Sequence, residues 1–362
     1  MEPFVSKKKT TSIKWQIFND VRMISIIIVN YKSWDRLSRC LESLAIIEDI
    51  RFQFEVIVVD NHSNDGKVAE FVLLFPKFIF ISNTGNNGFA NGCNLGAVKS
   101  NGSHLLFLNP DTTVTADALY DMLEEVRVRP EYSIVSCRQV RENGSEDRPY
   151  GKFLTIFTLT GWLRAIHQLF YRRLEDSIVQ TKHYIYPDWV SGSVILIKKD
   201  SFFRLGKWDE DFWMYFEDVD LCRRAHLKNG EIVIFKRAII GHIHGGSSRI
   251  NREVTVLTKT EVNISRHVYI SKHVRRHSAF FMHLLLIINN LLLGLLPALV
   301  GIVFFFIPEI NIYSQIYFKL AGYYLQTLKS GRWVSVRSVN YTKKNKSSEM
   351  EPVYLNYEQV YP

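Results

Sequence analysis

Between residues 23 and 250 the chain alternates short apolar runs with amphipathic stretches. Met23–Val29 (MISIIIV) is an unbroken, mostly β-branched run, the pattern of a strand covered on both faces. Asp35–Ile47 carries Leu37, Leu41 and Leu44 at helical spacing. Glu55–Val59 and Phe78–Ser82 predict a second and a third strand, Asn91–Ser100 a helix, and His104–Leu108 a fourth strand. Ala116–Val128 predicts a helix that stops at Arg129-Pro130, and Ile134–Cys137 a fifth strand. Strands alternating with helices in this way build an α/β fold, a mostly parallel sheet flanked by helices. Ligands of such sheets bind beyond the carboxyl ends of the strands. Asn30-Tyr31, Asp60–Asp65 and Asn109-Pro110-Asp111 each follow a predicted strand, so they meet at one edge.

The pattern changes after residue 250. Residues 251–278 read as a polar, basic helical linker, and Ala279 to Ile307 contain no Lys, Arg, Asp or Glu. A bilayer crossing takes about 20 apolar residues, so 279–307 is long enough to be a membrane segment. Four Lys or Arg lie between Asn263 and Ser278 and seven between Asn311 and Ser348, with no acid in either stretch. Positive charge marks the cytoplasmic side. Basic flanks on both sides therefore leave two arrangements, a re-entrant hairpin with Asn289-Asn290, Gly294 or Pro297 as its break point, which the charge favours, and a single crossing. The expected organisation is a basic tail (1–22), an α/β domain (23–250), the linker (251–278), the membrane segment (279–307) and a basic, Tyr-rich tail (308–362).

Composition narrows the class. With 362 residues, 47% hydrophobic and 22% charged, the chain is globular rather than disordered. Lys7, Lys8, Lys9 and Lys14 precede no apolar run with a cleavage site, so no secretory signal is expected. Cys40, Cys93, Cys137 and Cys222 lie far apart without a Cys-x-x-Cys pair, which argues against a zinc site or a disulfide scaffold. The net charge of +9 comes with no nucleic-acid motif, and nucleic-acid binding is not expected.

The first predicted strand runs into Asn30-Tyr31-Lys32-Ser33-Trp34, with neither a Gly-x-Gly-x-x-Gly turn nor a P-loop. Any nucleotide is held without a glycine cradle. Asp60 at a strand end suits ribose hydroxyls or a base N–H, or simply a turn. Asp111 suits a divalent cation or a helix N-cap. Six acids between Asp209 and Asp220 interleave with Phe212, Trp213, Tyr215 and Phe216, which suggests a cleft wall rather than a solvated face. Glu217-Asp218-x-Asp220 opens a helix that Lys228-Asn229-Gly230 ends, and acids in a first turn also favour the helix dipole. His242 and His244, ahead of Gly245-Gly246-Ser247, point to a metal or phosphate role.

Taken together, ISIIIVNY (24–31), VVDNHSND (58–65), NNGFANGCN (86–94), LFLNPD (106–111), WVSGSVILI (189–197), residues 206–223 and His242-x-x-Gly-x-Ser resemble glycosyltransferase family 2, in its rhamnosyltransferase-like branch. The resemblance covers about residues 23–250. It implies a GT-A fold and an inverting transfer of a sugar from a nucleoside-diphosphate donor to a hydroxyl. L-Rhamnose is one candidate sugar, and a glycan or polyprenyl-linked glycan in cell-surface polysaccharide synthesis is the implied acceptor. Tyr31 and Asp60 resemble the base- and ribose-contacting positions. Asn87, Gly88, Phe89 and Asn94 resemble the loop and helix over the nucleotide, and Trp189, Ser191 and Gly192 lie where the donor sugar would rest. Asp111 and His242 resemble the positions that hold Mg²⁺ or Mn²⁺, with Asn109 replacing the first Asp of Asp-x-Asp. Glu217-Asp218 matches the Glu-Asp motif, with Asp218 as general base. Lys207 departs from the family's Gly-Gly-Phe-Asp-Glu. The implied location is the inner (cytoplasmic) membrane with the catalytic domain facing the cytoplasm. The competing reading is a non-catalytic membrane-attached protein that only binds nucleotide or glycan, which has no need of Asp218.

Overall fold

A computed structural model describes residues 23–171, 174–242, 251–342 and 353–355. The basic N-terminal tail, His244 and the Gly-Gly-Ser sequence lie outside the described residues. The first strands and helices are β1 (Met23–Asn30), α1 (Trp34–Ala45), β2 (Gln53–Asp60), α2 (Lys67–Leu74), β3 (Ile79–Ser82), α3 (Phe89–Lys99), β4 (His104–Leu108), β5 (Thr112–Thr113), α4 (Ala116–Val128) and β6 (Tyr132–Val140). Short strands β7 (Glu146–Asp147), β8 (Tyr150–Gly151), β9 (Val179–Gln180), β10 (Tyr184–Tyr186) and β11 (Trp189–Val190) follow, with α5 (Gly161–Phe170) among them. Then come β12 (Val194–Lys198), α6 (Lys199–Arg204), α7 (Glu217–His226) and β13 (Glu231–His242).

The large sheet runs β14-β3-β2-β1-β4-β12-β6-β13-β10-β9, where β14 is Val353–Leu355. β3, β2, β1 and β4 are mutually parallel, and β13 is parallel to β6. β12 is antiparallel to both β4 and β6, so β6 and β13 share the direction of the first four. Six strands thus end at one edge, and the antiparallel β12 begins there. That one reversed strand brings Trp189–Ser193 to the edge that already holds Asn30, Asp60, Asp111 and His242. Both faces are covered, one chiefly by α1 and α4, the other by α3 and α7. The sheet is mixed: β3, β2, β1, β4, β6 and β13 share one direction as the pattern predicts, and β14, β12 and β10 run against them.

After β13 the chain forms α8 (Arg252–His273), α9 (Arg276–Ile287), a π-helical stretch Ile288–Leu293, α10 (Leu295–Val303), α11 (Pro308–Ser330) and α12 (Val339–Thr342). Two sequence expectations change here. The reversal falls at residues 304–307, not at Asn289–Pro297: the π-helical stretch absorbs Asn289 and Asn290, Gly294 joins it to α10, and α10 continues through Pro297. Pro at the third position of α10 needs no internal donor, so it does not break the run. The region expected to be a tail from 308 instead contains a 23-residue helix. Leu320, Tyr323 and Tyr324 of α11 pack on Ile264, Val268 and Tyr269 of α8. Nor is α8 a free linker: Ser265 Oγ donates to Met214 O at 2.8 Å and Lys272 Nζ pairs with Asp209 and Asp211 at 2.7 and 2.6 Å.

Candidate active site

The strand ends supply the base of the site. Asp60 is buried, and its carboxylate accepts from Asn30 Nδ2 (3.1 Å), Ser63 Oγ (2.5 Å) and Ser63 N (2.9 Å). Burial raises its pKa, and the Ser63 and Asn30 hydrogen bonds oppose that rise. The turn therefore takes three of about four acceptor positions and leaves one for a ligand. Tyr31 projects beside it, 45% exposed, with Lys32 Nζ 5.6 Å from its ring centre. Lys32, His62 and Asn64 all have positive φ (53°, 66° and 52°), so both loops hold backbone strain at this edge.

An amide network forms the next wall. Asn83 Nδ2 donates to Asn61 Oδ1 (2.7 Å) and Asn91 Oδ1 (2.8 Å), and Asn61 Nδ2 donates to Gly88 O (2.9 Å). Gly88 sits at φ 92°, where a Cβ would lie 2.2 Å from Trp213 O. Phe89 N donates to that same oxygen at 3.1 Å. Asn87 Nδ2 reaches Asn83 Oδ1 at 3.4 Å. The side chain of Asn94 is buried and bridges to the loop after α6: Nδ2 donates to Trp208 O (2.9 Å) and Glu210 Oε1 (2.8 Å), and Oδ1 accepts from Trp208 N (3.1 Å). Sequence reasoning missed Asn61, Asn83 and Asn91; the density of Asn between 83 and 94 was the available signal. Gly88→Ala is expected to push the 213–214 backbone away and cut nucleotide binding about ten-fold or more, because both the positive φ and the contact oppose a Cβ. Titration with a nucleoside diphosphate checks this, and unchanged affinity refutes it.

Asp218 and Glu217 open α7 directly after Tyr215 and Phe216, both left-handed at φ 69° and 67°. This turn swings the helix N-terminus toward Gly192, whose N–H donates to Asp218 Oδ2 at 3.0 Å, while Val219 N donates to Oδ1 at 2.8 Å. The two acids are not equivalent. Asp218 is half-buried, whereas Glu217 is only 6% exposed, its Oε2 accepts no hydrogen bond from any described residue, and it lies near Cys93. Burial raises both pKa values, and for Glu217 the neighbouring Asp218 and Asp220 raise it further. Below them, Asp220 is held by Arg224 at 2.6 Å and His273 Nε2 at 2.6 Å, a pairing that ties α8 to α7. Trp189 Nε1 donates to Lys152 O, and Ser191 and Gly192 lie between β11 and β12, with Phe89 against Gly192. Lys207, the departure from Gly, has φ 64°, which accounts for a glycine preference at that position.

Asp111 is not a helix cap. Thr115 caps α4, accepting from Ala118 N, and Asp111 instead begins the turn into β5. It is 4% exposed, its Oδ1 accepts no hydrogen bond from any described residue, and that atom lies 3.3 Å from His242 Nε2 at the end of β13. No cluster of three or more His, Cys, Asp or Glu suited to a metal occurs among the described residues. The four cysteines are separate, reduced and buried.

The same region is similar to known proteins. Glycosyl transferase family 2 matches residues 25–192. The α/β part of the chain is similar to that family over those residues. The low-salt glycan biosynthesis hexosyltransferase Agl10 of Haloferax volcanii is 27% identical over 251 residues, 67% of this chain and 72% of that protein. The rhamnosyltransferase WbbL of Escherichia coli K12 is 25% identical over 229 residues, 57% of this chain and 77% of that protein. The chain spans only 49% of the poly-beta-1,6-N-acetyl-D-glucosamine synthase of Staphylococcus epidermidis, at 26% identity over 60% of this chain. Among solved structures, the mannosyltransferase PcManGT of Pyrobaculum calidifontis, in complex with GDP-Man and Mn²⁺, aligns with TM-score 0.48 and 15% identity over 77% of each chain. The matches make the chain a glycosyltransferase, similar to family 2 over residues 25–192 and built on an α/β sheet.

Proposed function

We propose that this glycosyltransferase inverts the anomeric centre as it moves a sugar from a nucleoside diphosphate to a hydroxyl of a lipid-linked glycan, with Asp218 as general base. The observation that carries the proposal is Asp218 itself: half-buried, its pKa raised by burial, and aimed by the Gly192 N–H at the edge where the strands end. A sugar hydroxyl is a poor nucleophile at neutral pH. A carboxylate with a raised pKa removes its proton more effectively than an ordinary one as the new bond forms. Direct displacement then expels the nucleoside diphosphate with inversion. Glu217, buried and pushed toward its neutral form, supports the site without a second charge. Tyr31 stacks on the base, Asp60 takes a ribose hydroxyl with its remaining acceptor position, and Asn87–Phe89 close over the nucleotide. Asn94 acts as a positioning residue, because its amide is engaged by Trp208 and Glu210.

Asp111 and His242 fit a divalent cation. Their ligand atoms are 3.3 Å apart, close to the ~3 Å between adjacent corners of an octahedron with bonds of about 2.1 Å. One carboxylate and one imidazole leave the other positions to diphosphate and water, and suit Mn²⁺ or Mg²⁺. When bound, the cation neutralises charge on the departing diphosphate.

Among the described residues one helix, Arg276–Val303, is long and apolar enough to cross a membrane. α11 returns beside its end: Asn311 Nδ2 donates to Gly301 O at 3.0 Å, and Arg252 of α8 bonds Asn311. A full crossing would carry Arg252, Glu309 and their neighbours into hydrocarbon, which is costly. The segment 279–307 is therefore read as lying in the cytoplasmic leaflet, with both basic flanks in the cytosol. The test is a panel of nucleoside-diphosphate sugars offered to the full chain with a polyprenyl-linked acceptor, reading released diphosphate and glycosylated lipid. Release and transfer with one donor are expected, and no transfer from any donor to any lipid-linked glycan overturns the reading.

A further inference from the structure

We propose that α5 is an in-plane membrane helix, which seats the protein on an anionic lipid surface together with the apolar hairpin. This rests on the membrane reading above. α5 (GWLRAIHQLF) has no buried residue. Trp162, Ile166, Leu169 and Phe170 are 38%, 48%, 78% and 75% exposed, and their spacing places them on one face. Arg164 and Gln168 are exposed on the opposite face. Leu163 turns inward, onto the cluster of Ile270, Met282 and Leu286 that joins α8 to α9. An apolar stripe carrying Trp, with Arg on the far side, is the pattern of a helix lying at the headgroup boundary.

Two further observations name the occupant. First, the stripe is continuous with the hairpin. Trp162 Nε1 donates to Asn289 Oδ1 at 3.2 Å, in the apolar helix, and beyond it Leu292, Leu296, Val303, Phe305 and Phe306 are 66–70% exposed. Secondly, the rim is cationic: Arg275 and Arg276 are exposed where the hairpin begins, and Arg164 is exposed on α5. Arg266, also in this region, has a like-charged neighbour in Arg164, which lowers its pKa after burial does so. Concentrated positive charge around an apolar surface complements anionic headgroups. A second copy of the chain would bring the same cations together. Two contacts, α5 and the hairpin, fix tilt as well as depth, which a single inserted hairpin does not. The catalytic edge is then held at one height above the lipid.

The test uses the full chain reconstituted in phosphatidylethanolamine–phosphatidylglycerol vesicles with brominated acyl chains. Leu169→Cys, Leu296→Cys and the control Ile46→Cys are each labelled with an environment-sensitive fluorophore, which is selective because the four native thiols are buried. Probes at 169 and 296 are expected to shift to the blue and be quenched, and the probe at 46, 81% exposed on the far side of the sheet, to do neither. Quenching at 296 with a water-exposed probe at 169 overturns the assignment of α5 and leaves the membrane reading standing. Quenching at neither position overturns both. A blue shift at 169 without quenching assigns the face to protein contact, against the proposal. Omitting phosphatidylglycerol is expected to weaken the signal at 169 several-fold, and equal signals overturn the choice of an anionic surface.

Discussion

Asp218→Asn is expected to lower kcat by roughly 10²–10⁴-fold while leaving nucleoside-diphosphate-sugar affinity within about two-fold, since it removes the base and little of the shape. Asn retains an oxygen for the Gly192 N–H, so the turn at Ser191–Gly192 keeps its hydrogen bond. The pH profile gives an independent check. Burial raises the Asp218 pKa, so the protonated, inactive form persists to a higher pH than for an exposed carboxylate. The acid limb of kcat is therefore expected above the usual Asp value of about 3.9, with rate rising as pH rises through it. Asp218→Asn should lose that limb along with the rate. A variant that turns over normally sinks the assignment of the base. A residual rate with the wild-type limb intact assigns the limb to another group. Glu217→Gln separates the neighbours: Glu217 is already pushed toward its neutral form, so its amide is expected to keep most activity.

The α/β body was legible from sequence because each of its elements carries a local signature. β1 and β4 are β-branched or leucine-rich runs, α4 ends where Arg129-Pro130 requires, and Asp60 and Asp111 fall at strand ends as the alternation predicts. Other features depend on contacts far apart in the chain. Nothing near Thr112 announces pairing with Gly241 and His242, yet that pairing brings His242 to Asp111. Asn94 looks like a ligand contact until the loop 114 residues later takes both ends of its amide. Glu217 and Asp218 look alike in sequence, and the helix that follows the turn through Tyr215 and Phe216 buries Glu217 more fully than Asp218. The hairpin reversal was misjudged for a related reason. Asn and Gly are poor helix residues in isolation. Here Asn290 Nδ2 donates to Tyr324 OH at 2.8 Å and Asn289 accepts from Trp162, so helix neighbours satisfy them and the helix continues. β14 is three residues long, too short to signal a strand, but it covers the edge of β3.

Asp111→Ala is expected to reduce kcat/KM by about 10²-fold or more and to abolish any difference in nucleotide affinity between Mn²⁺ and chelator, if the pair with His242 is the cation site. Stability supplies the decisive contrast. A buried carboxylate oxygen without a hydrogen-bond donor carries a desolvation cost of about 1–3 kcal/mol, and Asp111 Oδ1 is such an atom among the described residues. A residue with a folding role would instead show most of its acceptor positions occupied, as three of the about four on Asp60 are. Asp111→Ala should therefore leave Tm unchanged or raise it in the metal-free protein, while Asp60→Ala should lower it by unmaking the turn at Ser63. Added Mn²⁺ should raise Tm of the wild type in the presence of a nucleoside diphosphate and should not raise that of Asp111→Ala. Calorimetry of the two variants with and without metal reads all of these. A wild type whose nucleotide affinity and Tm ignore both Mn²⁺ and chelator refutes the cation site. A large fall in Tm for metal-free Asp111→Ala makes the residue a structural one. His242→Gln keeps a ring-sized polar side chain but offers a weaker ligand, and its loss of metal response is expected to be partial, because Asp111 still supplies the negative charge that draws the cation to this edge.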